Sequence, residues 1–173
     1  MNTKKIFIII GLFWVVLIGG FIGIKEFTLK TGHEILLKTV PVDPRDLFRG
    51  DYVVLRYEIS TIETSNFSVS SSNFNVGDNI YISLSLDGEK IGNITNIQKE
   101  RPKNGTFVKG TVKDIYNNRL TVEYGIESYF VPEGKGGEVE KNRRKIYTKV
   151  AIDSFGNAVI KALVQDGKEI NIN

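Results

Sequence analysis

No cysteine occurs anywhere in the 173 residues. Disulfides, thiolate metal sites and cysteine nucleophiles are thereby excluded. An oxidising compartment is compatible with that absence but not required by it. Histidine is nearly missing as well, since His33 stands alone. One imidazole cannot build a multi-histidine metal site, and it makes a Ser-His-Asp triad a poor reading. His33 reads as a solvated linker residue, and neither a metal nor a cofactor is expected. Alanine is absent until Ala151, and no acidic residue precedes Glu26. Residues 6–24 contain no charge, no amide side chain and no hydroxyl.

That uncharged run, IFIIIGLFWVVLIGGFIGI, is 19 residues long. About 20 such residues cross a bilayer core. A buried globular helix of this length would carry a polar stripe, and none is present. The reading is a transmembrane helix. A cleaved signal peptide is the alternative, because Lys4 and Lys5 form a basic start. The run exceeds the usual apolar core of about 7–15 residues, and an A-x-A-like cleavage site has no alanine to use. Lys4 and Lys5 favour a cytoplasmic N-terminus. Lys25, Lys30 and Lys38 on the far side weaken that preference. Gly19 and Gly23 make a GxxxG spacing, which is either a helix-packing face or ordinary membrane-helix glycine.

After Ile24 the chain carries 21 basic residues against 20 acidic ones. A nucleic-acid partner would need a clustered basic face, so none is expected. Short alternating runs follow one another between Gly, Asn and Asp turns. A strand is expected over residues 34–40. From Asp51 a second strand points Val53, Leu55, Tyr57 and Ile59 one way, with Arg56 and Glu58 on the other face. Residues 60–76 are Ser/Asn-rich and read as a long loop or irregular crossing, open to disorder at 70–73. Hairpins are expected at Asp87-Gly88, Asn117-Asn118 and Phe155-Gly156-Asn157. Asp166-Gly167 turns into a last strand. Residues 138–145 read as a short helix or a solvated loop. The expected fold is all-β: mainly an antiparallel barrel or sandwich, with at most one short helix, preceded by one N-terminal transmembrane helix. The expected division is a cytoplasmic tail at 1–5, the membrane helix at 6–24, a linker at 25–33 and an extracytoplasmic β-domain at 34–173.

Residues 41–57 (PVDPRDLFRGDYVVLRY) hold the densest unusual chemistry. Asp43 and Pro44 suit the start of a one-turn helix, and Gly50 its end. Within this stretch, residues 50–57 match the GDYXXLXY signature at every defined position. The chain therefore resembles a family of bacterial membrane-anchored proteins that carries no assigned activity. Residues 41–49, residues 124–134 (YGIESYFVPEG) and the hairpin at 151–167 are similar to the family pattern too. The resemblance covers nearly all of the chain after the apolar run. It implies the location and architecture given above. Such proteins tend to be encoded beside polytopic membrane proteins, which implies a membrane partner by association.

Asp43, Arg45, Asp46, Arg49 and Asp51 lie within nine positions. A planar guanidinium donates a fork of N–H groups that a carboxylate accepts bidentately, so some of these pairs should meet. Two readings stay open: a network bracing the turn against the sheet, or a polar pocket for an anionic or peptide-like ligand. Glu127 and Glu133 flank apolar residues and a proline. Asp51 with Glu127 or Glu133 would suit carboxylate-based hydrolysis if two carboxyls converged within about 10 Å. Tyr52, Tyr57, Tyr124 and Tyr129 read as core or cross-strand aromatics rather than a stacking platform. Residues 133–137 lack the spacing and trailing Ser/Thr of a phosphate loop. A membrane signal peptidase is rejected, because residues 25–50 offer no nucleophilic serine. The expected role is an accessory or binding domain held in the lipid bilayer beside a polytopic membrane protein. The alternative is an envelope carboxylate-dependent hydrolase, or an enzyme that binds a small ligand or peptide.

Overall fold

The structure, a computed structural model, describes residues 3–40, 52–67, 69–130 and 146–170. One α-helix, α1 (Thr3–Thr31), opens the chain. Its 29 residues make a rod about 44 Å long. The part at 6–24 covers about 29 Å, close to the hydrocarbon thickness of about 30 Å. Its apolar side chains face outward all round; Phe7, Ile8 and Phe21 are among the most exposed. It is the one described helix long and apolar enough to span a membrane.

The helix does not stop where the apolar run stops. It continues to Thr31 and ends against the β-domain, where Thr28 is buried. Gly32 makes that ending possible. Its N–H donates to the Thr28 carbonyl at 2.8 Å. A Cβ at this position would lie 2.5 Å from the Thr28 oxygen and 3.0 Å from backbone atoms of Ile152. Strand β1 (His33–Val40) begins at the next residue.

Eleven further strands follow. They are β2 (Tyr52–Val54), β3 (Arg56–Tyr57), β4 (Thr61–Glu63), β5 (Asn79–Leu86), β6 (Gly92–Gln98) and β7 (Thr106–Tyr116). After them come β8 (Arg119–Glu123), β9 (Ser128–Phe130), β10 (Ile146–Ile152), β11 (Ala158–Gln165) and β12 (Lys168–Glu169). One sheet has the order β12-β11-β10-β1-β3 and the other β4-β8-β7-β5-β6, with β2-β9 as a two-stranded ribbon. Every named strand pair is antiparallel. The two sheets face each other as a sandwich-like half-barrel. One side is stitched where the Leu36 N–H donates to the Lys90 carbonyl beside β6.

Alternation decides which side chains enter the space between the sheets. Ile35 and Leu37 of β1 point inward, as do Ile80 and Ile82 of β5 and Val108 and Val112 of β7. Each such burial contributes about 1.5–3 kcal/mol relative to exposure. The expected hairpins form. Asn117 and Asp166 take positive φ, as tight turns demand of short polar residues.

The strand expected from Asp51 through Ile59 is not one strand. The inward set Leu55, Tyr57 and Ile59 is buried as expected, with Arg56 and Glu58 outside. But β2 pairs with β9, β3 pairs with β1, and residues 58–60 form a 3-10 turn. The chain is changing sheets here. Leu55 bridges the gap by donating its N–H to the Glu127 carbonyl at 2.7 Å. The Ser/Asn-rich stretch is also more ordered than its composition suggests. It supplies edge strand β4 and two 3-10 turns, one of them capped by the Ser70 hydroxyl.

A tyrosine clasp behind the signature motif and two clefts at the helix base

The last two defined positions of the signature, Leu55 and Tyr57, are both buried. Tyr57 crosses the interior, and its hydroxyl donates to the Ile126 carbonyl at 2.5 Å. Tyr124, at the end of β8, reaches back the other way and donates to the Ile59 carbonyl at 2.5 Å. The two phenols form a reciprocal clasp between the sheet-switching segment at 55–60 and the turn at 124–127. Burial pushes both phenols up; the Thr148 hydroxyl pulls Tyr57 partly back, and the nearby Glu127 carboxylate adds to both rises. The fully buried Thr148 hydroxyl lies near enough to the Tyr57 phenol to influence it but is not aligned for a full hydrogen bond, and it has no other partner among the described residues.

Glu127 is half-buried, and its Oε1 accepts the Tyr124 N–H at 2.5 Å. The carboxylate is thus spent on closing its own turn. Tyr129 lies on β9 and packs against the core, as the aromatic reading expected. Tyr52 pairs through its backbone with Phe130. Asp43, Arg45, Asp46, Arg49, Asp51 and Glu133 lie outside the described residues. Of the candidate set, the structure therefore brings Glu127 and Tyr129 into the same turn-and-strand segment, with Tyr52 across the ribbon. Among the described residues no group of three or more His, Asp or Glu side chains is placed to hold a metal.

Two clefts flank the base of α1. One, of about 910 Å³, lies between the 125–130 segment and β11, and Lys25, Tyr129, Phe130 and Lys161 line it. The other, of about 1030 Å³, runs between α1 and the β10–β11 turn. Its walls include Gly20, Gly23 and Phe27 on one side and Phe107 and Phe155 on the other. Sequence reasoning missed both clefts, because each brings α1 against segments distant in the chain: Lys25 against Tyr129 and Lys161 in one, Gly20 and Gly23 against Phe107 and Phe155 in the other. It also missed a charge ladder across the outer face of the first sheet. Glu34 of β1 takes the Lys161 ammonium at 2.6 Å, and Lys149 of β10 takes Glu169 at 2.9 Å. The hydrogen bond from Lys161, and then the charge of Lys149, hold the Glu34 carboxyl below its ordinary range. Period-2 spacing on β10 and β11 was the available signal, but register was needed to pair the charges.

The family model described as GDYXXLXY protein matches residues 14–163, and the chain belongs to that family. No curated protein and no solved structure matches the chain.

Proposed function

We propose that this member of the GDYXXLXY family is a non-catalytic accessory or binding domain, anchored in the bacterial cell membrane and working with a polytopic membrane partner. The observation that carries the reading is the splice between α1 and the β-domain. Thr28 is buried, Gly32 closes the last helical turn and β1 starts at His33, leaving no flexible tether between them. A domain fixed this way is held at a constant height and angle over the bilayer. That geometry suits a subunit that presents a surface to a neighbour in the membrane plane.

What supports a cytoplasmic N-terminus, with the β-domain outside, is the basic pair Lys4 and Lys5 ahead of the apolar run. What supports binding over catalysis is how the signature's described side chains are used. Leu55 and Tyr57 brace the interior, and the Glu127 carboxylate is committed to a backbone N–H. Crosslinking in native membranes followed by mass spectrometry tests the proposal. The expected result is a specific adduct with a polytopic membrane protein. Recovery of the chain only as a free monomer would sink it.

A further inference from the structure

We propose that the β10–β11 turn, residues 153–157, is a second membrane contact, seating Phe155 at the boundary of the acyl chains with Arg101 and Lys103 reaching the lipid phosphates. This rests on the membrane-anchor reading of α1 and adds a contact that the anchor does not require.

The turn is rigid and its tip is apolar. Asp153 Oδ1 accepts the N–H groups of Phe155 and Asn157 at 2.8 and 2.9 Å, and Gly156 takes φ +89°. The Gly156 carbonyl accepts the Lys109 N–H of β7 at 2.8 Å, which fastens the turn to the second sheet. With its backbone held on both sides, the turn projects Phe155, which is 60% exposed. A phenyl ring held out at the tip of a stiff turn presents an apolar body that suits the membrane–water interface, provided the tip lies at that level and carries cations beside it.

Height comes from α1. Phe155 shares one cleft with Gly20, Gly23 and Ile24, which belong to the apolar run. If that run fills the hydrocarbon, the tip lies at the level where hydrocarbon gives way to headgroups. The chemistry around the ring fits that level. The Arg101 guanidinium stacks 5.0 Å from the Phe155 ring centre and 5.9 Å from that of Phe107. One of its nitrogens donates to the Ser154 carbonyl at 2.5 Å, which leaves other N–H donors for a phosphate. Lys103, exposed in the same loop, adds a second cation. Asp153 and Glu100 are the opposing charges nearby in sequence, and Asp153 is occupied by the turn. An arginine laid over a projecting aromatic pairs an apolar body with a charged rim, as interfacial anchors do.

The chain's single tryptophan, Trp14, makes the test internal. The full chain is reconstituted in phosphatidylcholine–phosphatidylglycerol vesicles carrying bromine either near the headgroup end of the acyl chains or near their terminal methyl groups. Trp14 of the unmodified chain reports on α1. Phe155→Trp and, separately, Tyr116→Trp are read in a Trp14→Phe background. Tyr116 ends β7, about 33 Å along the strand from Thr106 in the cleft, and is the solvent control. The expected result is blue-shifted emission at position 155, quenched more by shallow than by deep bromine, with position 116 unquenched. Quenched Trp14 with unquenched, solvent-like emission at position 155 overturns this inference and leaves the anchor standing. Blue-shifted emission at 155 that neither bromolipid quenches means a protein surface covers the ring, and also overturns it. Unquenched Trp14 overturns the anchor reading itself. If Phe155→Trp fails to fold, Ser154→Trp at the same tip carries the same expectations.

Discussion

At the scale of residues, the signature motif acts through what it buries. Its final tyrosine, Tyr57, holds the Ile126 carbonyl, while Tyr124 holds Ile59 in return. Tyr57→Phe keeps the packing and deletes one hydrogen bond, leaving a buried carbonyl without its donor. Such an orphan costs about 1–3 kcal/mol, and thermal or chemical unfolding reads the loss directly. Unchanged stability would show that the tyrosine serves something other than the fold. The same phenols set the alkaline limit. Both are raised above the ordinary value of 10.0 in the folded chain, chiefly by burial. The folded state therefore holds these protons more tightly than the unfolded state. Their contribution is complete below about pH 10 and is lost as pH rises toward the folded values, at up to about 1.4 kcal/mol per pH unit for each phenol. The free energy of unfolding measured across alkaline pH should fall above about pH 10, and less steeply in Tyr57→Phe. The candidate chemistry was only partly legible at this scale. Tyr57 was placed inward by alternation, and Tyr124 and Tyr129 were read with it as core or cross-strand aromatics. Glu127 was noticed as a carboxylate flanking apolar residues, but its service to the Tyr124 N–H depends on a turn geometry that residue type alone does not dictate.

At the scale of elements, hairpins were the easiest features to read, because short turns rich in Asn, Asp and Gly combine with period-2 burial on either side. The segment after Gly50 was harder. Its alternation through Leu55, Tyr57 and Ile59 is real, yet three elements in different places share it. Periodicity reports which side chains are buried and not which neighbour takes the backbone hydrogen bonds. That choice fell to the Glu127 carbonyl, which captured the Leu55 N–H between β2 and β3. The junction of α1 with β1 was hidden for a related reason. Gly32 looks like an ordinary helix stop, but its role is close approach to Ile152 from the far end of the chain. Gly32→Ala should therefore destabilise the domain by about 1–3 kcal/mol, since backbone atoms at 2.5 and 3.0 Å cannot yield cheaply. Urea unfolding of the variant checks this. A neutral result would mean that the helix and the sheet are coupled more loosely than the geometry indicates.

At the scale of the whole molecule, an apolar rod and a β-domain form one continuous object. The apolar run is long and apolar enough to span a bilayer, and the half-barrel closes a core of its own. A chain beginning at Lys25 keeps the packed last turns of α1 but loses the apolar rod, so it should remain in the aqueous fraction as a folded β-protein. The complete chain should stay in the membrane pellet through an alkaline wash. Fractionation with circular dichroism distinguishes these outcomes, and a complete chain released by the wash would refute anchoring. The sequence by itself determined the apolar rod, the all-β class, the hairpins and the family, because each is written in local composition, spacing or a contiguous motif. Tertiary structure alone decided that Tyr57 and Tyr124 clasp each other's segments, that the chain switches sheets at Leu55, and that Phe155 stands beside Gly20 and Gly23 of α1. Those facts join residues about 65 to 135 positions apart. Burial of apolar surface drives collapse without direction; which distant segments then meet is selected by register, turn geometry and the satisfaction of every buried N–H and carbonyl.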